Sequence, residues 1–182
     1  MGIIDKLLNK IECNTGFIYP VASIIKNITD NKNAVRDFKR ESDLKYKQDI
    51  LERENISDYQ RAQLISSLNK TTIEFYNQAQ ILNVACNNIN DSADPDQLDN
   101  DWLIYFMNKA ALISDEQMRN TWGLILAEAC DNPEICSKTL INTLSLMNKK
   151  QAETFQCICK FRFANMNIPP DDKDRICQYP II

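Results

Sequence analysis

SDEQMRNTWGLILAEACDNP, Ser114 to Pro133, is the stretch whose reading decides the fold. Ser114 has the side chain of an N-cap, and Gln117, three residues on, can complete a capping box. Asp115 and Glu116 place negative charge at the positive end of the helix dipole. Met118, Trp122, Ile125 and Ala129 follow at spacings of four, three and four, with Leu126 beside them, so one continuous stripe is apolar. A helix with such a stripe has to be buried. Gly123 beside Trp122 is unfavourable in an ordinary helix by about 1 kcal/mol against alanine, which predicts close approach of another backbone. Pro133 has no N–H and disfavours helical geometry in the residue before it, so the helix ends there.

Working outward, only three glycines and six prolines in 182 residues, with few alternating β-branched runs, predict an all-α chain. Asp99 can cap DWLIYFMNKAALI, with Trp102, Tyr105, Phe106 and Ala110 as its buried face. Ser137 can cap KTLINTLSLM, and Asn148 with Gln151 forms another capping-box pattern before AETFQCICKF. The short turns between these segments predict a compact antiparallel bundle over 101–163. Before it, Asn90 to Asp101 is polar, acidic and interrupted by Pro95, and reads as a solvated linker over 92–100. Its aspartates lack the spacing and central glycine of a calcium loop.

Residues 32–91 read as a long charged helical arm. Phe38, Leu44 and Leu51 recur near every seventh residue, and Tyr59 extends the series, which gives a candidate assembly face. The alternatives are an intramolecular hairpin and an oligomerising coiled coil. A separate helix is expected from about Thr71 to Asn90, with Ile73, Tyr76, Ile81 and Val84 buried. Lys39, Arg40, Lys45 and Lys47 are interleaved with acids, which argues against nucleic acid as their partner.

The amino-terminal segment, 1–31, carries Ile3, Ile4, Leu7 and Leu8 at helical spacing, then an apolar run containing Phe17 and Ile24. That run is far shorter than the roughly 20 residues a bilayer-spanning helix needs. The segment is expected to dock on the core or a neighbouring subunit, or to lie on a membrane surface. Gly2 does not make a myristoylation signal, because position 6 is Lys. At the other end, 164–182 reads as an irregular tail with paired Pro169 and Pro170.

The string WGLILAE, Trp122 to Glu128, with Pro133 five residues later, then SKTL at Ser137 to Leu140 and QAETFQCICKF at Gln151 to Phe161, resembles a family of bacterial proteins. That family's shared region runs Trp, Ala, a variable residue, Leu or Ile, Leu, Ala, Glu, then a proline, a Ser-x-Arg-Thr-Leu-like helix and an Ala-x-x-Phe helix. It has no agreed biochemical activity. Some members, and the similar abortive-infection "alpha" proteins, are encoded among anti-phage genes, so the resemblance implies a role in bacterial defence. Here Gly123 stands where the family has alanine, and Lys138 where it has arginine. Family members continue beyond this carboxy-terminus, which implies either a truncated end or one packed against a partner.

The formal charge of -4 and pI near 4.9 argue against general nucleic-acid binding. Without any histidine, serine-histidine triads, cysteine-histidine pairs and helical zinc-protease motifs are excluded. No phosphate-binding glycine loop or cofactor fingerprint is present, so no cofactor or metal is expected. Seven cysteines without framework spacing suit a reducing, cytoplasmic setting and read as structural thiols. Glu128 is the one acid in the motif stretch. It is expected to bond the following turn or to pair with Lys138; an acid-dependent hydrolase would need a second carboxylate from Asp131 or Glu134. These observations favour a non-enzymatic protein that assembles with itself or with a protein partner, its apolar amino end meeting a partner or a membrane surface. The alternative is a regulatory subunit of an enzyme whose catalysis lies in another chain or in missing carboxy-terminal sequence.

Overall fold

The computed structural model describes residues 2–15, 34–148, 150, 151 and 154. Among these the chain is all-α, with no strand, and six helices follow in order. They are α1 Ile3–Thr15, α2 Ala34–Leu51, α3 Asp58–Asn88, α4 Asn100–Ala110, α5 Glu116–Asp131 and α6 Lys138–Leu146. Single 3-10 turns at Pro95–Gln97 and Pro133–Ile135 precede α4 and α6. Met1–Ser145 forms one compact unit, and the residues from Leu146 onward belong to a second.

Helix α3 is the common neighbour of α2, α4 and α5. Its 31 residues make a rod of about 46 Å at 1.5 Å per residue. It opens with a complete capping box: the Gln60 N–H donates to Ser57 Oγ at 3.2 Å, and the Ser57 N–H donates to Gln60 Oε1 at 2.9 Å. Ile65, Leu68, Thr72, Phe75, Ala79, Leu82 and Cys86 follow at alternating spacings of three and four, so one seam runs nearly its whole length. Near its start this seam faces α2, and Phe75, Ala79 and Leu82 are all buried. In the second half Asn77, Ile81 and Ala85 are buried as well, because α4 and α5 cover another side.

This rod corrects the reading of 32–91. The expected single arm helix breaks after Leu51, and the expected separate helix from Thr71 is the continuation of α3. The break is held by Arg61, whose guanidinium donates to the carbonyls of Ile50 at 3.4 Å and Arg53 at 2.8 Å and pairs with Asp58 at 2.8 Å. The last carbonyls of a helix lack intrahelical partners, and a cation there satisfies both charge and hydrogen bonding. Helices α2 and α3 are therefore an intramolecular hairpin. Ile73, expected inside, is 48% exposed because it stands off the seam.

The remaining corrections concern caps, linker and amino end. Asp115, not Ser114, caps α5, its Oδ1 accepting from the Met118 N–H at 3.0 Å; Ser114 is exposed one residue too early. Residues 92–100 are not a solvated linker. Ala93, Pro95 and Leu98 are buried, and the Asp94 N–H donates to the Cys130 carbonyl at 3.2 Å. Helix α1 lies against α4 and the Pro95–Gln97 turn, with Leu7, Leu8 and Ile11 fully buried. Leu7 and Leu8 thus belong to the core and not to a membrane face, while Ile3 is half-buried and Ile4 exposed. Phe17, Ile24 and the side chain of Phe38 lie outside the described residues, as does most of the expected final helix and tail. Among the described residues no helix is long and apolar enough to cross a membrane.

Asp99 and Ser137 cap α4 and α6 as their sequence positions predict, and Asn148 and Gln151 exchange both capping-box hydrogen bonds at 2.9 Å.

Candidate functional site

The motif helix α5 is where sequence and geometry agree most closely. Trp122 is fully buried and packs on Phe106 with ring centroids 5.1 Å apart, and Phe106 stacks on Trp102 at 5.2 Å. Offset aromatic contacts of this kind stabilise beyond the area they bury. Gly123 lies against α3: a Cβ added there would sit 2.6 Å from Val84 Cγ1 and 2.8 Å from the Ile81 carbonyl oxygen. Pro133 starts the 3-10 turn directly after α5, with Asn132 as C-cap. Trp122, Gly123 and Pro133 are thus packing residues that fix α5 against its neighbours.

The acids do not gather around Glu128. Its carboxylate is exposed and Oε1 accepts from Asn132 Nδ2 at 2.7 Å, a bond across one helical turn. The expected backbone and Lys138 partners are both replaced by this side-chain amide, and Lys138 itself is exposed on α6. Asp131 turns to a different element, accepting from Asn90 Nδ2 beyond the end of α3. Among the described residues no three Cys, Asp or Glu side chains converge closely enough to hold a metal ion.

A charged clasp joins α1 to the residues before α4. Lys6 Nζ lies 3.7 Å from Asp94 Oδ1 and 3.3 Å from Asp96 Oδ2, and Lys10 Nζ donates to the Asp96 carbonyl at 2.6 Å. The Asp94 carboxyl is held below its ordinary range first by the hydrogen bond from Gln97 Nε2 at 3.1 Å, then by the Lys6 charge, against an opposing effect of burial. These ion pairs are surface-exposed and orient α1 more than they stabilise it. The apolar face beneath them supplies the main attraction.

Three thiols are chemically quiet. Burial pushes Cys86 and Cys130 up to about 12 and Cys136 to about 11, with the Asp131 charge adding to the effect at Cys130. The thiolate is the reactive form, so these groups are inert near neutral pH. Cys13, on α1, is exposed.

One polar junction escaped the sequence reading. Asn77 is 3% exposed; its Nδ2 donates to the Ala111 carbonyl at 2.8 Å and its Oδ1 accepts from Arg119 at 3.0 Å. Beside it Gln78 Nε2 donates to the Met107 carbonyl at 2.9 Å, and the Arg119 guanidinium lies 5.3 Å from the centre of the Tyr76 ring. Asn77 thus satisfies the Ala111 carbonyl just beyond α4, Gln78 adds a second donor to the Met107 carbonyl, which also accepts from the Ala111 N–H at 3.1 Å, and Arg119 ties in α5. A buried amide with both ends bonded joins three helices. Asparagine inside a helical stretch was the available signal, because it belongs there only with partners.

The candidate assembly residues have a different environment. Leu44 is 66%, Leu51 58% and Tyr59 72% exposed, all on the hairpin of α2 and α3. Helix α2 packs chiefly on α3, which leaves much of its surface to solvent.

Residues 59–176 match the model of a family described as "Protein of unknown function (DUF2806)". The match begins in the first turn of α3, so α1 and α2 precede it. No curated protein and no solved structure matches the chain.

Proposed function

The chain belongs to the DUF2806 family, and from that premise we propose that it is a non-enzymatic helical assembly protein acting in bacterial anti-phage defence of the abortive-infection type. The observation that carries the assembly part is the hairpin. Large apolar side chains at Leu44, Leu51 and Tyr59 stand exposed on a projection whose backbone is anchored through α3 to the core. Exposed apolar residues grouped on one hairpin favour association when a complementary surface is offered. The acid of the motif helix, bonded to an amide at the surface, supports a structural over a catalytic part for Glu128. Defence is supported by the likeness of WGLILAE and the segments after it to proteins encoded among anti-phage genes.

The test is the plating efficiency of a phage panel on cells carrying the native locus, the locus without this gene, and the locus encoding Leu44→Glu with Leu51→Glu. Protection is expected from the first alone. Equal plating on all three would count against defence, and protection by the double variant would count against the hairpin as its assembly surface.

A further inference from the structure

We infer that α2 is a self-association surface, and that its occupant is the α2 of a second copy of this chain lying antiparallel across Leu44 and Leu51. This rests on the assembly reading above and specifies its partner. Leu44 and Leu51 are seven residues apart and so share one helix face, with Gln48 between them; all three are exposed. Lys45 and Glu52 each follow one of these leucines, lie on the same flank, and are exposed. Gln48 Nε2 donates to Glu52 Oε1 at 2.8 Å, which holds that carboxylate beside the stripe.

The charges beside the stripe favour a second copy in the antiparallel direction. In an antiparallel pair of helices, equivalent flanks meet, so Lys45 of each copy faces Glu52 of the other, and the two-fold axis repeats the attraction. In a parallel pair the opposite flanks meet: Lys45 would face Arg40 of the other copy, a repulsion, and Glu52 would face Lys47, an attraction, so the two offset where the antiparallel form repeats the Lys45–Glu52 attraction. A stripe with two leucines per copy is small beside ordinary stable interfaces, so the pairing is weak and sensitive to salt.

Sedimentation velocity on the full chain over a concentration series tests this. Wild type is expected to shift from monomer toward dimer with concentration, and Leu44→Glu with Leu51→Glu to stay monomeric. Lys45→Glu is expected to weaken the dimer about tenfold, and Lys45→Glu with Glu52→Lys to restore it. Circular dichroism should show unchanged helix content, since all these positions are exposed. Wild type that remains monomeric throughout would overturn this inference, while the assembly reading would then stand only on a different protein partner. Self-association untouched by the leucine variant would overturn the α2 surface alone, leaving assembly through another face. Failure of the charge swap to restore what Lys45→Glu weakened would overturn the antiparallel pairing.

Discussion

At Gly123 two residue-scale effects oppose each other, and their magnitudes decide the outcome. Alanine would gain about 1 kcal/mol of helix propensity. Its Cβ, however, would meet the Val84 side chain and the Ile81 carbonyl of α3, and the carbonyl is fixed by its own helix. Forcing extra volume into such a contact costs about 1–3 kcal/mol, so Gly123→Ala is expected to lower stability, as chemical denaturation would measure. Asn77 presents a second case. Asn77→Ala leaves the Ala111 carbonyl and the Arg119 guanidinium without this partner, and a loss of about 1–3 kcal/mol is expected. Asn77→Asp should not rescue it, since a carboxylate cannot donate to the Ala111 carbonyl.

Among the elements, α3 explains why some positions read correctly and others did not. A heptad-like seam with α2 on it predicts burial at spacings of three and four, and the second half of the same helix is covered on another side too. A helix buried on two sides loses the contrast between faces on which periodicity depends. That is why Ile73, apolar and well placed for a different stripe, was expected inside, while Asn77 passed unnoticed. The hairpin tip depends on Arg61, whose removal frees two carbonyls of the preceding turn. Arg61→Ala is expected to increase amide hydrogen exchange at the end of α2 and the start of α3, with the exchange of α5 unchanged. On α1 the fully buried Leu8 is a core residue, so Leu8→Ala should cost about 2–5 kcal/mol in a denaturation experiment. A membrane-facing leucine would cost almost nothing there.

For the whole molecule, the thiols give a stability change of fixed sign. Cys86, Cys130 and Cys136 hold their protons in the folded chain up to about 12, 12 and 11, against 9.0 when exposed. Below pH 9 both states are protonated and the folded state keeps the full benefit. Between pH 9 and about 12 the unfolded chain loses protons first, so stability is expected to fall as pH rises. Melting temperatures across that range check the direction. Alkylation mapped by mass spectrometry near neutral pH should modify the exposed Cys13 well before Cys86 and Cys130.

The sequence by itself determined that the chain is all-α and located α5, because capping residues, a proline stop and an apolar stripe act within a few turns of one helix. It also predicted the close approach at Gly123, since a glycine beside a tryptophan in a helix is unfavourable without a neighbour. Tertiary structure decided the rest. That 92–100 packs against α1 and that Asn77 and Gln78 tie α3 to its neighbours depend on residues brought together across 29 to 86 positions of chain. Burial of an apolar face is fixed by local spacing; which surface covers it is a property of the assembled fold, where the free energies of competing contacts are compared.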